Sequence, residues 1–289
     1  MLPKNIDKLI SEFLSMEAAS AKDSNSIGYM ARSFVQATLP HSKQEGNEFE
    51  RRNGFFRLTV LSPSQVGLPY GSIPRLLIAW LTTEAVRTRE REIILGDTLT
   101  EFMAKLGLVP TGGRWGSITR LRDQAQRLFS SSISCTYDDG KNWVIQNVKP
   151  VSSANLWWDP KVPKQVGLSQ STIILGEEFF KESITSPVPI DLRVLKALKQ
   201  SPMAVDVYCW LTYRMSYLKN STYIPWPVLQ VQFGSGYSTS SQGLRDFKRA
   251  FLRELRKINV FYSSLKIENG KNNLILHPGK SHISKLLCE

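Results

Sequence analysis

The clearest hydrophobic pattern in the chain lies in residues 111–134, which open with a Gly-Gly turn. Apolar residues then follow at spacings i, i+3, i+7, i+10 and i+11, which predicts a helix with one buried face. Those residues are Ile118, Leu121, Ala125, Leu128 and Phe129. The opposite face is polar and basic, with Thr119, Arg120, Asp123 and Arg127, flanked by Gln124 and Arg122. Such a face can donate hydrogen bonds to phosphates and base edges, which indicates a DNA recognition helix.

A charged face on a single helix is usually just solvated, so this pattern alone is weak. Residues 241–258 repeat it, with six Lys/Arg and two Asp/Glu, a formal charge of +4. Their apolar stripe is Leu244, Phe247, Phe251, Leu255 and Ile258, and their polar side carries Gln242, Arg245, Arg249, Arg253 and Arg256. Both stretches contain Leu-Arg-Asp, at residues 121–123 and 244–246. The repetition favours a shared function over two unrelated solvated faces.

The elements around the first basic helix are typical of a winged helix. Helical spacing predicts a helix at 74–88, started by Pro74, then a strand at 92–95 and a second helix capped by Asp97 or Thr98. The basic helix follows. Two strands at 133–137 and 143–147 then form a hairpin whose loop, which contains Lys141, is the expected wing.

The same order recurs downstream. A helix capped by Ser201 runs through residue 217, followed by a strand at 222–224, a helix at 227–233, the second basic helix and a hairpin of 260–267 with 274–277. Trp80-Leu81-Thr82 recurs as Trp210-Leu211-Thr212, a period of about 130 residues. The sequence therefore predicts an α+β protein of two tandem winged-helix domains related by internal duplication. We expect an N-terminal helix and polar linker at 1–50, the domains at 51–150 and 186–289, and a connector at 151–185.

Two further segments allow two interpretations each. Residues 3–19 predict an amphipathic helix that either docks on the protein's own body, which is favoured, or contacts another protein. Trp157 and Trp158 are expected to pack between domains, the alternative being stacking on bases.

Charge narrows the class of partner. The net charge is +12 and the pI about 9.6, which favours a polyanion, either nucleic acid or an anionic membrane surface. The longest clean apolar run, residues 76–81, is far short of the roughly 20 residues that a spanning helix needs. The N-terminal pattern is interrupted by charges and is unlike a signal peptide. We expect a cytoplasmic protein that binds no membrane.

Catalytic and metal-binding motifs are missing from the sequence. His41, His277 and His282 are isolated, so neither H-x-H nor H-E-x-x-H is present, and there is no G-x-x-x-x-G-K-[ST] phosphate loop. The three cysteines, Cys135, Cys209 and Cys288, have no paired spacing. We therefore expect no enzyme activity, no cofactor and no metal.

Several segments together resemble the plasmid-encoded RepA-type replication initiators. They are LPYGSIPR at 68–75, residues 80–134, WWDP at 157–160, residues 186–198 and 201–218, Ile224-Pro225-Trp226 and residues 247–255. The resemblance implies a protein that binds directly repeated origin sequences (iterons), opens nearby A·T-rich DNA and recruits the host helicase and the host initiator protein. More loosely, it implies homodimers that repress their own promoter.

The candidate DNA-binding residues follow from the two basic helices and their wings. We expect bases to be read by Ser117, Thr119, Arg120, Gln124, Gln242, Arg245, Arg249 and Arg253, with Arg114 and Ser241 beside them. Phosphates are expected at Arg127, Arg256, Lys257, Lys141 and Lys271. Two domains on one chain would cover about 20 base pairs, or two turns of duplex. A tandem winged-helix transcription repressor needs the same readout and remains the alternative. A nicking or helicase enzyme is a third hypothesis, which lacks the motifs.

Overall fold

The computed structural model describes residues 9–11, 26–156, 171–234 and 236–283. The chain divides into two compact units: a central unit, residues 29–187, and a C-terminal unit, in which residues 188–289 join residues 1–28. Most of the helix expected at 3–19, together with Trp157 and Trp158, lies outside the described residues. Helices and strands are mixed in both units, as the α+β assignment requires.

The first half of the chain contains the strand that crosses the boundary and the elements of the central unit. In chain order they are β1 Ile27–Met30, α1 Arg32–Gln36, β2 Glu48–Asn53, β3 Phe56–Leu61, α2 Ser72–Thr88, β4 Glu92–Gly96, α3 Leu99–Lys105, α4 Ser117–Ser130, β5 Ser132–Asp138, β6 Trp143–Asn147, β7 Val151–Asn155, β8 Ser171–Leu175 and α5 Glu177–Thr185. Thr98 caps α3 by accepting a hydrogen bond from the Glu101 N–H at 3.1 Å, which decides between the two predicted caps.

The central unit contains two antiparallel sheets, and the predicted wing hairpin lies in the sheet that does not contain β4. β5 and β6 extend the sheet β2-β3-β5-β6, whereas β4 pairs with β8 in the sheet β4-β8-β7. The predicted hairpin of β5 and β6 is therefore present, but it does not pair with β4. The register explains why, because buried Val60 of β3 lies opposite buried Ile133 of β5. The sequence pattern showed both strands but not which partner each would choose.

The central unit is larger than the domain expected at 51–150. β7, β8 and α5 belong to it although they fall in the segment interpreted as a connector, and α1 belongs to it although it falls in the expected linker. The buried Arg75 guanidinium donates to the backbone carbonyls of Leu39 and Pro40 at 2.7 and 3.2 Å. Backbone carbonyls make these contacts, so the polar composition of residues 20–48 gave no sign of them.

The C-terminal unit combines helices with a three-stranded sheet. Its elements are β9 Val188–Asp191, α6 Leu192–Leu198, α7 Pro202–Met215, β10 Thr222–Pro225, α8 Trp226–Phe233, α9 Ser241–Phe261, β11 Ile267–Asn269 and β12 Asn273–Leu276. The sheet order is β10-β12-β11. α9 continues to Phe261, so the strand expected at 260–267 is wrong and only Ile267 of it is extended.

A tryptophan on the first long helix of each unit packs edge-on against a phenylalanine of the following helix. Trp80 of α2 contacts Phe102 of α3 with ring centroids 4.9 Å apart, and Trp210 of α7 contacts Phe233 of α8 at 5.4 Å. All four side chains are buried. In each unit, the tryptophan of the repeated tripeptide therefore lies in the core. Within the described ranges, no helix is long and apolar enough to cross a bilayer.

Candidate nucleic-acid interface

The orientation of α9 is set by its apolar stripe and by its first turn. Phe247, Phe251 and Ile258 are fully buried, which turns the opposite, arginine-bearing face outward. Ser240 caps the helix by accepting from the Gly243 N–H at 3.1 Å. Gly243 lies against the backbone carbonyl of Ser238, where any Cβ would collide. The start of α9 is therefore fixed closely against the preceding loop.

The exposed face of α9 carries a connected row of polar side chains. Arg245 donates to Gln242 Oε1 at 2.8 Å, Gln242 donates to Asp246 Oδ2 at 3.0 Å, and Arg249 donates to Asp246 Oδ1 at 2.5 Å. The exposed residues of this face, all of them predicted from the sequence, are Ser241, Gln242, Arg245, Arg249, Arg253 and Arg256. Bidentate donors and an amide on one helix face suit base edges in a major groove.

Lys257 is less exposed than these arginines and is paired within the protein. Its Nζ contacts Glu254 Oε2 at 2.6 Å, its side chain is 23% exposed, and Glu254 is buried. Burial alone would raise the pKa of Glu254, but hydrogen bonds from Lys257 and Arg253 outweigh it and the pKa is lowered. Lys257 thus neutralises a buried carboxylate, which corrects its assignment as a free phosphate ligand. Arg253 also forms an ion pair with Glu254, but the Arg253 side chain remains 68% exposed.

The turn between β11 and β12 lies against α8 and α9. Lys271 in this turn is exposed, as expected of a wing residue. Lys248 and Trp226 hold the turn: Lys248 Nζ donates to the Gly270 carbonyl at 3.0 Å, and the Trp226 N–H donates to the Asn272 carbonyl at 3.1 Å. The position of Lys271 is therefore set by the helices behind it.

Two candidate base readers on α4 are buried. Ser117 is 6% exposed, and its hydroxyl donates to the Val109 carbonyl at 2.6 Å and accepts from the Thr111 N–H at 2.9 Å. Gln124 is 4% exposed, and its Oε1 accepts from the Tyr70 N–H at 2.8 Å. Both side chains hold the loops around α4. Neither side chain is therefore available to contact a base, and their assignment as base readers is corrected. A hydropathy pattern gives no sign that a polar side chain will be buried.

Arg127 is also engaged within the protein. Its Nε contacts Asp123 at 2.9 Å, its guanidinium lies 5.6 Å from the centre of the Tyr70 ring, and its side chain is only 16% exposed. This arginine braces α4 against the segment before α2. Its assignment as a phosphate ligand is therefore corrected as well.

Exposed side chains do remain along α4 and the loop before it. Arg114, Thr119 and Arg120 are exposed as predicted, although the Thr119 hydroxyl donates to the Gly113 carbonyl at 2.9 Å. Sequence reasoning missed Trp115, which is 79% exposed with Arg114 over its ring, and it missed the exposed Gln126. It placed Arg122, which is also exposed, only at the flank of the polar face. With Gln124 turned inward, the centre of the exposed face shifts to Thr119, Arg122 and Gln126. The i, i+3, i+7 spacing of these three could have indicated it.

Lys141 is exposed at the turn between β5 and β6, where Asp139 Oδ1 accepts from its backbone N–H at 2.9 Å. The Asn142 backbone N–H also donates to Asp139 Oδ1, at 2.7 Å. These hydrogen bonds from the backbone N–H groups of Asn142 and Lys141 lower the pKa of Asp139. Because this hairpin belongs to the sheet with β2 and β3, Lys141 is not on a strand pair adjoining β4.

Within the described ranges, the side chains that bear on metal or thiol chemistry are the possible metal ligands and two cysteines. No group of three His, Cys, Asp or Glu side chains there could hold a metal ion. Cys135 and Cys209 are buried and form no disulfide, and burial raises the pKa of Cys135 to about 12.

The comparison with protein families decides what kind of protein carries this surface. The family described as plasmid-encoded RepA protein matches residues 68–226, which is more than half of the chain. The chain belongs to the plasmid-encoded RepA family. Membership identifies it as a plasmid replication initiator of the RepA type. The match includes α4 and ends at Trp226, so α9 of this RepA-family protein lies beyond it.

Solved structures extend the comparison past that point. The crystal structure of domains 2 and 3 of RctB matches with a TM-score of 0.52 and 13% identity, over 84% of this chain and 94% of that one. A selenomethionine derivative of the same two domains gives 0.56 and 11% identity, over 87% and 99%. At this identity the likeness concerns the fold alone. No curated protein sequence matches the chain.

Proposed function

We propose that this RepA-family protein is a DNA-binding initiator without catalytic activity, which recognises iterons through two winged-helix domains. The exposed arginine row of α9, with the docked β11–β12 turn beside it, is the observation that carries the proposal. On binding, the protein would promote opening of A·T-rich origin DNA in the cytoplasm and recruit the host helicase and initiator protein. These last steps rest on the family.

The topology of the sheets supports the two winged-helix domains. In the C-terminal unit, β10 precedes α8 and pairs with β12, the second strand of the hairpin after α9. In the central unit, β4 precedes α3 and pairs with β8, the second strand of the β7–β8 pair. The orders β4-β8-β7 and β10-β12-β11 are thus the same arrangement. With the matching Trp–Phe contacts, they support internal duplication, with β5 and β6 as an insertion after α4.

The roles of individual residues differ between the two units. In the C-terminal unit, Gln242, Arg245, Arg249 and Arg253 would read bases while Arg256 and Lys271 hold phosphates, with Ser241 at the start of the helix. In the central unit, Thr119, Arg120 and Arg122 would approach the groove, with Arg114 at the phosphates.

A binding assay on the parent plasmid's origin tests the proposal. The full chain should bind a duplex origin repeat at least about 10³-fold more tightly than a shuffled duplex. The double variant Arg245→Ala/Arg249→Ala should lose that preference. Arg52→Ala, an exposed arginine on β2, is the matched control and should keep it. Equal affinity of the wild type for both duplexes would reject sequence-specific binding.

A tandem winged-helix repressor without a replication role would pass the same assay. Permanganate probing of a supercoiled origin plasmid separates the two functions, because permanganate modifies unpaired thymines. An initiator should make thymines in the A·T-rich segment reactive, whereas a repressor should protect its repeats and leave those thymines unreactive.

A homodimer is part of the proposal, and the edge strand β6 supports it. Trp143, Val144 and Ile145 are all exposed, and β6 carries no charge. The Val148 N–H donates to the Ile133 carbonyl at 2.7 Å, so the alternation of an antiparallel pair turns the backbone groups of Ile145 away from β5. The opposite edge strand, β2, is charged, and its Glu50 forms ion pairs with Arg52 and Arg57. An uncharged edge that has no strand partner among the described residues suits pairing with a second copy.

Sedimentation at several protein concentrations tests the dimer. Val144→Lys should shift the chain to monomer, whereas the matched Val109→Lys, at a 74% exposed valine, should not. A dimer that persists in Val144→Lys would place the interface elsewhere.

A further inference from the structure

Lys248 is a half-buried basic residue of α9 that contacts the β11–β12 turn. Its Nζ donates to the carbonyls of Gly270 and Lys271, at 3.0 and 3.2 Å. The same atom lies 4.7 Å from the centre of the Trp226 ring. An ammonium with two carbonyl acceptors and an aromatic face beneath it has most of its donor capacity engaged.

Trp226 completes the contact from the other side. Its backbone N–H donates to the Asn272 carbonyl at 3.1 Å, and its indole N–H donates to the Gly270 carbonyl at 3.3 Å. The carbonyls of three consecutive turn residues, 270–272, are therefore all held by Lys248 and Trp226. Lys271 is the middle residue of the three, and its side chain is exposed.

We propose that Lys248 is a positioning residue for the wing and makes no contact with DNA. It fixes the turn so that the Lys271 ammonium meets a backbone phosphate when α9 lies in the groove. The inference rests on the proposed function and adds to it a residue that composition alone would assign to phosphate binding. It also explains why a lysine stands here among arginines, because a single compact ammonium can sit on the Trp226 ring and reach two adjacent carbonyls.

The dependence of affinity on salt distinguishes positioning from direct contact. Each phosphate contact adds about 0.9 to the slope of log affinity against log salt concentration. We would measure this slope for the full chain on a duplex origin repeat, with Lys248→Met, Lys271→Met and the double variant. If Lys248 acts through Lys271, each single variant lowers the slope by about 0.9 and the double variant lowers it no further.

Two other outcomes would overturn the inference. A double variant that lowers the slope by about 1.8 would make Lys248 an independent phosphate contact. An unchanged slope in Lys248→Met would mean that the Lys248 contacts with the turn do not position Lys271. If the wild type shows no preference for the origin repeat, the proposed function itself fails, which is a different result.

Controls separate these effects from a general loss of charge or of fold. Lys248→Arg keeps the positive charge but not the compact ammonium, so it should lower the slope as Lys248→Met does, whereas a direct phosphate contact would be retained by arginine. Lys266→Met removes an exposed lysine that lies outside the turn of residues 270–272, and this variant should retain the wild-type slope. If Lys248→Met does not fold, Trp226→Phe keeps an aromatic ring but removes the indole donor. It should then lower the slope non-additively with Lys271→Met, and additive losses would again overturn the inference.

Discussion

Gln124 Oε1 accepts a hydrogen bond from the backbone N–H of Tyr70 at 2.8 Å, although Gln124 lies on the helix that the sequence marks as DNA-reading. Its Nε2 donates to Asp123 Oδ2 at 2.9 Å, and Asp123 in turn holds Arg127. Three polar residues of α4 thus form a contact that fastens the helix to the segment before α2. The polar face of α4 is divided between structure and binding.

Replacing Gln124 with alanine should therefore reduce stability and leave DNA selectivity intact. The Tyr70 N–H would lose its partner inside the protein, at a cost of about 1–3 kcal/mol in the free energy of unfolding. Gln126→Ala, at an exposed position of the same helix, should change that energy by less than about 0.5 kcal/mol. Urea unfolding and a comparison of origin with shuffled duplex measure both effects. A Gln124→Ala protein of normal stability that had lost selectivity would return Gln124 to the base readers.

Arg249 should contribute sequence specificity at one base pair. Its side chain is 76% exposed and is aligned by Asp246, which favours a bidentate contact with guanine. Arg249→Ala should cost about 1–3 kcal/mol on the native repeat and relax the preference at a single position. Binding to a set of single-base variants of the repeat measures this. Equal losses on every duplex would instead identify Arg249 as a phosphate contact.

Binding should depend steeply on salt. With roughly 6 to 10 phosphate contacts, affinity for the origin repeat should fall by about 10³ to 10⁵-fold between 50 and 200 mM salt. Lys257→Met should leave the slope almost unchanged, because Lys257 neutralises Glu254, whereas Arg256→Met should lower it by about 0.9. The opposite ranking of these two variants would contradict the roles assigned to them.

Stability should decrease in mildly acidic solution because of His282. His282 Nδ1 lies 2.9 Å from the Tyr208 hydroxyl, its Nε2 lies 3.0 Å from the Phe261 carbonyl, and burial lowers its pKa, with Asp191 and Arg193 as the nearby charges. The unfolded chain protonates near its ordinary pKa of about 6.5 while the folded imidazole stays neutral. The contribution is therefore complete above about pH 6.5 and is lost as the pH falls toward the lower, folded pKa.

Urea unfolding at about pH 7.5 and pH 5.5 checks this expectation. The wild type should lose more free energy of unfolding between the two than His282→Gln does. Equal losses in both proteins would show that His282 does not titrate differently on folding.

The sequence indicated most helices and strands because their apolar spacing is regular. The predicted helix at 227–233 and strand at 143–147 agree with α8 and β6 to within one residue. β2 and β7 were missed, since Glu48–Asn53 and Val151–Asn155 are mostly polar and bury few side chains. Strand pairing could not be predicted. The choice of β8 over β6 as the partner of β4 is made between strands about 80 residues apart, which local patterns do not record.

The candidate site could be predicted better on α9 than on α4. The buried face of α9 contains four large apolar residues, each a phenylalanine or a leucine. Their spacing therefore predicts directly that the arginines point outward. On α4 the buried stripe includes Gln124, and Arg127 is drawn toward Tyr70. Hydrogen bonds to a backbone N–H and contact with an aromatic ring place polar groups inside without leaving a hydropathy signal.

Hydroxyl-radical footprinting of the parent plasmid's origin tests the central claim most directly. The wild-type chain should protect repeated sites of about 20 base pairs, with two protected segments one helical turn apart on one face of the duplex. Arg245→Ala/Arg249→Ala/Arg253→Ala should lose one segment of each pair, and Arg120→Ala/Arg122→Ala should weaken the other. Protection without repeats, or a footprint that both sets of substitutions leave unchanged, would contradict recognition of DNA by α4 and α9.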